Sequence, residues 1–570
     1  MSTNDFHNLS DKEKIDHLKS IKKENEKNYR HKSDLSKSKI KERKISNVSL
    51  PISAPKRDSL MEDAEEEILA TSELNIQDKL GVQVSNAVLQ DNEHQVKYIS
   101  EEKLKAGDKL NVTRWILKNP SRAIIFSFAF VILFGGILLT LPISSSSGNW
   151  TDFLTAIFTA TSATCVTGLI LVDTGFYWSL FGQLIIISLI QVGGVGLITI
   201  IASFISSSKK KIGMGTIRII QDTLGSDSVE DVYDLLKKVV RYTLSFELIG
   251  GTIMAIVYLK YMPPLYAIYA GLFQGVSAFC NAGFDVLSPY FSRYGSLTSL
   301  NNEPIILLVT SLLLTFGGLG FIVWTDIFAS LKGKEKLSFH SSLVIRVTLG
   351  ILFIGTVLHL GLEWSNEGEM ALGSLPIIER PMAAFFQTAT LRTAGFNSIN
   401  QANLRDSSLL LGCIIMFIGA SPVSTGGGVK TSTMALVSRY VVSKSKGEDR
   451  VVIRKRTVEK NTASRALVIF VIFLLVTIFA TGILTVVERL ALDAGNFSSL
   501  DLLYEVLSAL CTVGVTSIQT ENLGTISRIV LMTCMFIGRV GPFSIALFLS
   551  ERAQSSDQQE VLQEVSTFVG

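Results

Sequence analysis

The sequence is poor in charged residues and in cysteine. Only 18% of its 570 residues are Asp, Glu, Lys or Arg, and the formal net charge is +3. So small an excess of positive charge does not indicate nucleic-acid binding, for which a basic face would be expected. The five cysteines have no paired spacing, so neither a disulfide framework nor a zinc site is indicated.

Catalytic and nucleotide-binding motifs are also missing. The sequence contains no HExxH or GxSxG pattern, and residues 120–552 include only two histidines, His340 and His359. A hydrolase acting within a membrane would need a nucleophile with a base, so catalysis is not indicated. There is no GxxxxGKS, GxxxxGKT or GxGxxG fingerprint for a nucleotide either. We therefore expect a protein that is not an enzyme and carries no cofactor, and any control by nucleotide must come from another chain.

Apolar residues are abundant, at 47% of the chain with a mean hydropathy of +0.38. From Ala123 onward they form eight runs, near residues 123–141, 178–205, 239–261, 305–328, 343–362, 408–437, 466–487 and 526–549. Each run is long enough to cross a hydrocarbon core of about 30 Å, which takes about 20 helical residues. The sequence predicts an all-α polytopic membrane protein with eight spans in a lipid bilayer.

The positions of Lys and Arg predict the orientation of these spans. Basic segments follow the second, fourth and sixth runs, at residues 209–211, 332–336 and 444–456. Since cytoplasmic loops carry the excess of Lys and Arg, both termini are expected in the cytoplasm of a multi-pass plasma-membrane protein. Residues 1–60 are polar and lack apolar periodicity, so residues 1–115 are predicted to form a largely disordered cytoplasmic tail. Residues 553–570 are expected to form a second cytoplasmic tail.

The short turns between paired runs resemble one another. Aligned on a glycine, they read Cys165-Val166-Thr167-Gly168-Leu169, Cys280-Asn281-Ala282-Gly283-Phe284, Arg392-Thr393-Ala394-Gly395-Phe396 and Cys511-Thr512-Val513-Gly514-Val515. An aromatic residue stands ten positions before each glycine, as Phe158, Phe273, Phe385 and Tyr504. Successive glycines are 115, 112 and 119 residues apart. These intervals predict four tandem repeats of helix, pore loop and helix, over residues 120–210, 236–332, 341–438 and 462–552.

Four copies in one orientation would place four glycine turns around a central pore. The residues between each aromatic side chain and its turn can form a half-helix, whose C-terminal carbonyl groups favour a cation on the axis. Glycine permits backbone angles that turn carbonyl oxygens inward, where they can replace the hydration shell of a cation. One such glycine alone would be a plain turn between membrane helices, but four in register favour a pore. A carrier for organic solutes would more often have inverted halves.

A second interruption falls in the sixth apolar run. Residues 419–433 include Pro422 and three consecutive glycines, which a regular helix cannot accommodate in the middle of a membrane. Arg539 lies inside the eighth run, where a charge costs about 2.5–3.5 kcal/mol on insertion scales and should face the bundle interior or water. The alternative interpretations are that residues 419–433 form only a passive kink and that the Arg539 side chain snorkels to the membrane surface.

The turns, their spacing and the topology together resemble the membrane subunits of the Ktr, Trk and HKT superfamily of potassium transporters. The eight-span layout is most similar to the bacterial Ktr membrane subunit, and Thr512-Val513-Gly514 is closest to the filter signature of potassium channels. The resemblance covers residues 120–552. It implies a potassium-channel-like fold and potassium uptake across the plasma membrane through a selectivity filter.

The resemblance also implies particular residues and partners. The expected potassium-binding residues are Val166, Thr167, Gly168, Asn281, Ala282, Gly283, Thr393, Ala394, Gly395, Thr512, Val513 and Gly514. The expected gate is the intramembrane loop 419–433 with Ser424, Thr425, Gly426, Gly427, Gly428 and Lys430, together with Arg539. The implied partners are a second copy of the chain, in a homodimer, and a cytosolic nucleotide-binding regulatory subunit. Whether potassium flux is channel-like or coupled to sodium stays open.

Several polar residues near the turns need separate explanations. The cysteines of the aligned turns are expected to be small buried side chains and not ion ligands. Arg392 occupies the same alignment column, and a buried cation there needs a partner, for which Glu379 and Glu505 are candidates. For Glu247 and Gln191, which lie in other apolar runs, we expect hydrogen bonds between helices.

Overall fold

The computed structural model describes residues 120–196, 229–333, 336–448, 450–453 and 456–541. We call residues 120–196, 229–333, 336–448 and 456–541 segments one to four. The predicted tails at residues 1–115 and 553–570 lie outside the described residues. So do residues 197–205 and 542–549, which end the second and the eighth apolar runs.

Helices make up nearly all the regular structure of the first two segments. Segment one consists of α1 (Pro120–Thr140), α2 (Phe153–Cys165), α3 (Thr174–Tyr177) and α4 (Leu180–Val195). Segment two consists of α5 (Val229–Tyr258), α6 (Pro264–Phe279), α7 (Pro304–Leu319) and α8 (Phe321–Leu331).

The last two segments repeat this pattern. Segment three consists of α9 (Phe339–Glu363), α10 (Arg380–Thr390), α11 (Asp406–Phe417) and α12 (Thr431–Ser445). Segment four consists of α13 (Lys460–Val487), α14 (Arg489–Asp493), α15 (Ser499–Leu510) and α16 (Thr525–Val540). A hairpin of β1 (Val452–Ile453) and β2 (Arg456–Thr457) lies between α12 and α13. The predicted helical class is confirmed, but the expectation of helices alone is wrong at this hairpin, which forms in a loop rich in β-branched residues.

Each segment contains one short helix that ends just before its aligned glycine, namely α2, α6, α10 or α15. Local sequence determines where these helices begin. Asp152 accepts a hydrogen bond from the Thr155 N–H at 3.1 Å and caps α2, and Ser498 and Asp501 form a capping box at α15. Proline at the first helical position starts α6. Short helices therefore occupy the stretch between each aromatic residue and its glycine, as the sequence predicts.

The segments contact one another in a closed order. Helix α4 packs against α6, α7 against α10, α11 against α15, and α16 returns to α2. Buried hydrophobic clusters also join different segments: Ile186 of segment one shares a cluster with Phe386 of segment three, and Phe158 of segment one shares another with Tyr504 of segment four. A helix that follows the aligned turn of each segment thus packs against the short helix of the next segment.

The later helices of three segments end at a glycine with positive φ, which is 90° at Gly196, 94° at Gly320 and 91° at Gly541. At Gly320 the chain bends by 99° between α7 and α8. The apolar run predicted over residues 305–328 is therefore not one straight helix, because glycine allows the left-handed backbone that ends α7. A Cβ on Gly317 would collide with the Phe279 carbonyl oxygen, so the glycines before the bend let α7 approach the end of α6.

Helix length and composition indicate membrane spans in part of the fold. Among the described residues, Lys237–Tyr258, Phe339–Glu363 and Thr462–Val487 are long and apolar enough to cross a membrane, and the bent pair α7–α8 adds a fourth if it counts as one span. The apolar helices over Ile124–Thr140, Leu180–Val195 and Asp406–Phe417 are shorter. The full set of eight spans stays a prediction.

Buried carboxylates fix the start of two later helices. Glu363 Oε1 accepts a hydrogen bond from the Arg405 N–H at 3.1 Å beside α11, and Glu488 Oε1 accepts one from the Gly524 N–H at 2.8 Å beside α16. Free N–H groups and the helix dipole make an N-terminus favourable for a negative group. These contacts join the end of a long helix to the start of the later helix in segments three and four.

Candidate functional site

The four aligned glycines share one backbone conformation. Their φ angles are 102° at Gly168, 71° at Gly283, 85° at Gly395 and 95° at Gly514. The residues two positions earlier also have positive φ, at 57° for Val166, 61° for Asn281, 69° for Thr393 and 51° for Thr512. Such angles are costly for residues with a Cβ and persist only where the surrounding structure enforces them.

The four turns also face one another in a closed order. A Cβ on Gly168 would lie 2.8 Å from the Ala282 carbonyl oxygen, one on Gly283 2.9 Å from that of Ala394, and one on Gly395 2.6 Å from that of Val513. A Cβ on Gly514 would collide with the Thr167 carbonyl oxygen. Each glycine therefore faces the carbonyl group that precedes the glycine of the next turn. We call this arrangement the glycine ring.

Hydroxyl groups of the short helices support the ring. The Gly168 N–H donates a hydrogen bond to Ser162 Oγ at 3.1 Å, and the Gly514 N–H donates one to Ser508 Oγ at 3.0 Å. These bonds satisfy the glycine N–H groups on the side of their own short helices. The carbonyl groups of the turns are left to face the neighbouring turns.

The residues just before the glycines form a polar layer. Asn281 Nδ2 donates a hydrogen bond to Thr393 Oγ1 at 3.3 Å and joins the second turn to the third. The buried hydroxyls of Thr167 and Thr512 have no hydrogen-bond partner among the described residues. A buried hydroxyl without a partner is unfavourable, so these two groups are suited to contact an ion or a water molecule.

A cavity of about 350 Å³ opens on one side of the ring and is lined by all four glycines. We call it the vestibule. Its lining includes the acidic residues Asp173, Asp285, Glu369 and Glu521, and one basic residue, Arg293. Side chains of one sign lining a concave site attract ions of the opposite sign, so the vestibule is suited to cations.

The break predicted in the sixth run lies away from the vestibule. Helix α11 ends at Phe417 and α12 begins at Thr431, so the non-helical loop covers residues 418–430. The expected loop 419–433 was too long at its end, because residues 431–433 already belong to α12. We call residues 418–430 the intramembrane loop.

Backbone hydrogen bonds dock the intramembrane loop on the bend of segment two. The Ser421 N–H donates to the Gly318 carbonyl oxygen at 3.0 Å, and the Thr425 N–H donates to that of Gly317 at 3.3 Å. In return, the Phe321 N–H donates to the Val423 carbonyl oxygen at 2.9 Å. The bend between α7 and α8 thus satisfies polar groups of the loop that have no helical partner.

The loop also lies directly against the turns. Thr425 Oγ1 donates a hydrogen bond to the Phe279 carbonyl oxygen at 3.2 Å. A Cβ on Gly426 would collide with Thr393 Oγ1, and one on Gly427 would collide with Thr512 Oγ1. Two consecutive glycines therefore allow the loop to approach the polar layer of the third and fourth turns.

The remaining expected gate residues are bonded within or to this loop. Ser424 Oγ donates to the Ser421 carbonyl oxygen at 2.6 Å, and Lys430 Nζ donates to that of Gly426 at 2.6 Å. A Cβ on Gly428 would lie 2.8 Å from the Gly419 Cα. These contacts hold the loop in one folded conformation.

Arg539 joins α16 to two other elements. Its guanidinium donates hydrogen bonds to the carbonyl oxygens of Thr425 and Gly193, and to that of Gly194 at 3.2 Å. Gly193 and Gly194 lie in the last turn of α4, where the negative end of the helix dipole favours a cation. The guanidinium therefore faces the bundle interior, as predicted, and does not snorkel.

Arg392 is not paired as the sequence suggested. It is buried, its Nε and Nη2 have no hydrogen-bond partner, and no ion pair joins it to Glu379 or Glu505 among the described residues. The predicted pairing of Arg392 with a carboxylate is wrong: Glu505 instead accepts a hydrogen bond from Thr520 Oγ1 at 2.5 Å, in the loop after its own turn.

The other polar residues near the turns lie where the sequence suggested. The three cysteines of the turns are fully buried. Gln191 Nε2 donates a hydrogen bond to Glu247 Oε2 at 3.3 Å and connects α4 to α5. Cys280 Sγ lies 3.6 Å from Glu247 Oε1, so this pair also contacts the second turn. Among the described residues, no three His, Cys, Asp or Glu side chains form a group that could hold a metal ion.

The structure thus brings the four expected filter turns into one ring. The expected gate residues lie beside it in one loop, except Arg539, which belongs to α16 and is bonded to that loop. Sequence analysis missed the docking site of the loop at Gly317, Gly318 and Gly320. The signal was present, because the pattern Gly-Gly-x-Gly occurs both at residues 193–196 and at residues 317–320. Its meaning depends on the close approach of α7 to α6, which no local pattern reports.

The fold is that of a membrane cation transporter. Residues 110–559 match the family model named TrkH and described as a cation transport protein. Because the match covers most of the chain, the protein belongs to this family of Trk and Ktr transporters. The resemblance inferred from the turns is confirmed.

Curated relatives match this chain over nearly their whole length. The potassium/sodium uptake protein NtpJ of Enterococcus hirae is 34% identical over 452 residues, which are 79% of this chain and 97% of that protein. The Ktr system potassium uptake protein B of Bacillus subtilis is 33% identical over 449 residues, covering 79% of this chain and 97% of its own length. The Vibrio alginolyticus protein of the same name is 35% identical over 431 residues, covering 75% and 91%.

A solved structure supports the fold. The crystal structure of the potassium transporter TrkH from Vibrio parahaemolyticus superposes with a TM-score of 0.57 at 19% identity, covering 75% of this chain and 85% of that chain. At this identity the likeness concerns the fold alone. The chain is thus similar to membrane proteins that move potassium or sodium ions.

Proposed function

We propose that this chain takes up potassium across the plasma membrane through a central pore formed by four repeats with eight spans. The observation that carries the proposal is the closed order of the four glycine turns, in which each glycine faces a carbonyl group of the next turn. A ring of backbone carbonyl oxygens can replace the hydration shell of a potassium ion. Relatives named for the uptake of potassium, or of potassium and sodium, agree with this substrate.

The filter in this proposal consists of the twelve residues of the four aligned turns. The short helices α2, α6, α10 and α15 end next to the glycines, so their C-terminal carbonyl groups add partial negative charge near the ion. The unpartnered hydroxyls of Thr167 and Thr512 would supply further oxygen atoms. The vestibule would be the external entrance, where its acidic residues concentrate cations.

The intramembrane loop is the proposed gate. It contacts the third and fourth turns through Gly426 and Gly427, so a cation that leaves the ring must pass it. Lys430 belongs to the loop and is bonded to its Gly426 carbonyl oxygen, so this charge would move with the loop when it opens. Arg539 belongs to α16, so its bond to the Thr425 carbonyl oxygen would have to break. Opening would thus remove the obstruction and the positive charge of Lys430 from the path.

Control of the gate is proposed to come from a cytosolic nucleotide-binding subunit, with two membrane chains in a homodimer and both termini in the cytoplasm. A partner can open the loop only if it binds the open conformation more tightly than the closed one. The bend of segment two offers a route for this coupling, because α8 leaves it directly and the loop is hydrogen-bonded to it.

Uptake in cells that lack their own potassium systems tests the proposal. Rubidium serves as the tracer for potassium, and unmodified cells give the background. Uptake that rises with expression of the chain, saturates and is reduced by external potassium is the expected result. Absence of uptake by the membrane-inserted chain, with and without a co-expressed regulatory subunit, would overturn it.

The same assay addresses sodium coupling. NtpJ of Enterococcus hirae is named for both potassium and sodium, so sodium is the ion to vary. With the membrane potential clamped, a rate of rubidium uptake that depends on external sodium indicates coupling. A rate that follows the potential alone indicates channel-like flux.

A further inference from the structure

Residues 292–298 belong to segment two but contact the three other segments around the vestibule. The Tyr294 N–H donates a hydrogen bond to Asp173 Oδ2 of segment one at 2.9 Å. The Tyr294 phenol donates one to Glu521 Oε2 of segment four at 2.7 Å. The Leu297 N–H donates one to the Asn397 carbonyl oxygen of segment three at 2.9 Å. We call residues 292–298 the collar segment.

The collar segment has an unusual backbone that its contacts enforce. Tyr294 and Ser296 have φ angles of 56° and 48°, although neither is a glycine. Such residues persist where surrounding contacts over-determine them, and they cluster at functional sites. The Arg293 Cζ lies 3.4 Å from the centroid of the Phe176 ring, which adds a cation–π contact to segment one.

Tyr294 is suited to hold the collar segment over a wide pH range. Burial and the hydrogen bond to Glu521 raise the pKa of its phenol above the ordinary value. The phenol therefore stays protonated and remains a donor to the Glu521 carboxylate, and a hydrogen bond to a charged acceptor is among the stronger ones. Glu521, Asp173 and the collar segment all line the vestibule.

We propose that the collar segment restricts access to the glycine ring from the vestibule, and that Tyr294 sets this restriction by joining Asp173 to Glu521. The inference rests on the proposed function, since it takes the vestibule as the ion entrance. Hydrated alkali cations pass the collar segment, whereas larger organic cations are held back. Tyr294 is thus a positioning residue for access, separate from the residues of the ring.

The test measures access with a thiol reporter in the full chain. Ile170→Cys places a thiol in the vestibule wall, two residues after Gly168, and the five native cysteines are buried. Two cationic methanethiosulfonate reagents, one small and one bulky, are applied outside intact cells. In the parent protein the small reagent is expected to react faster.

Tyr294→Phe removes the phenol donor and keeps the ring. Loss of one such hydrogen bond to a charged group is expected to raise the reaction rate of the bulky reagent about tenfold and to change that of the small reagent less. Glu521→Gln should weaken the same contact and give the same direction, which keeps the test valid if one variant inserts poorly. Tyr290→Phe is the matched control, because its ring packs against Tyr266 and its phenol has no hydrogen bond within the described part of the chain; it should leave both rates unchanged.

A second reporter separates access from reactivity. Asn149→Cys is exposed and lies outside the vestibule lining, so its rates should not depend on Tyr294. Equal bulky-reagent rates at Ile170→Cys in the parent and in both collar variants would overturn the proposal, and so would an equal increase in Tyr290→Phe. Rubidium uptake by the same cells reports the proposed function independently, because thiol modification does not require transport.

Discussion

The guanidinium of Arg539 donates a hydrogen bond to the carbonyl oxygen of Thr425, so the last described helix holds the intramembrane loop. The same side chain bonds the Gly194 carbonyl oxygen at 3.2 Å. One residue thus connects segments one, three and four at the place where the proposed pore is obstructed.

Arg539→Ala should raise basal potassium flux in the absence of any partner. Hydrogen bonds from a charged donor are each worth about 1.5–3 kcal/mol, so loss of the bond to the loop predicts about a tenfold increase. Rubidium uptake into vesicles containing the purified chain measures it. Arg489→Ala, which removes only an exposed ion pair with Asp493 at 3.5 Å, is the control. Flux equal to or below that of the parent in correctly inserted Arg539→Ala protein would contradict the gate assignment, as would unchanged flux after deletion of residues 424–428.

Gly320→Ala should also raise basal flux, through the docking site of the loop. The new Cβ would lie 2.6 Å from the Pro422 carbonyl oxygen, at a φ of 94° that alanine rarely adopts. The loop must then shift from its place beside the turns. Gly333→Ala is a matched control, with a φ of 68° and no atom within 4 Å of the new Cβ. If both variants behave alike in the vesicle assay, backbone strain and not loop displacement explains the result.

Replacing a glycine of the ring by serine should weaken potassium selection without unfolding the protein. The added side chain of Gly283→Ser would meet the Ala394 carbonyl oxygen at about 2.9 Å and disturb two adjacent turns. Competition of sodium against rubidium uptake measures selection. Gly148→Ser has a similar positive φ of 71° but open space around it, so it should retain parental selectivity. Parental affinity in the serine variants at Gly168, Gly283, Gly395 and Gly514 alike would rule out the filter.

Deletion of residues 1–60 should leave transport in reconstituted vesicles nearly intact. These residues carry few large apolar side chains and no part of the fourfold pattern, so they have little means to contribute to a packed pore. Initial uptake rates of full-length and truncated protein, at equal amounts of inserted protein, provide the comparison. Complete loss of flux would mean that the tail contains an essential element.

Glu303 should make part of the stability dependent on pH. The hydrogen bond from Tyr261, followed by the one from Lys260 at 3.0 Å, holds the pKa of Glu303 below its ordinary value despite burial. This stability is present above the unfolded pKa of about 4.3 and is lost as the pH falls through the lower folded pKa. Tyr261→Phe should therefore lower the thermal unfolding midpoint at pH 7, and the difference from the parent should shrink only as the pH falls below about 4. A difference that is constant between these pH values would exclude the linkage.

The sequence was sufficient to predict the features that repeat along the chain and those that interrupt a regular helix. Gly168, Gly283, Gly395 and Gly514 share a spacing that only their common role explains, and the structure brings them together. Pro422 and the glycines after it cannot remain helical, so the loop was predictable to within a few residues.

Features that depend on distant contacts were not predictable. The apolar run over residues 305–328 gives no sign that backbone groups at its bend form hydrogen bonds with the loop of another segment. These hydrogen bonds join residues about one hundred positions apart. The same holds for Tyr294, whose partners Asp173 and Glu521 are far from it in sequence. The prediction for Arg392 was wrong for a different reason, since its charge alone suggested a carboxylate partner that the structure does not place beside it.

The four turns of the ring belong to one polypeptide and are not identical. In a channel built from four equal chains, a single mutation changes all four walls at once. Here a substitution at Thr512 alters one wall and leaves the other three as they were. In the proposed filter, natural variation would therefore adjust ion preference one turn at a time, and a conducting ancestor need never pass through a fully disabled filter.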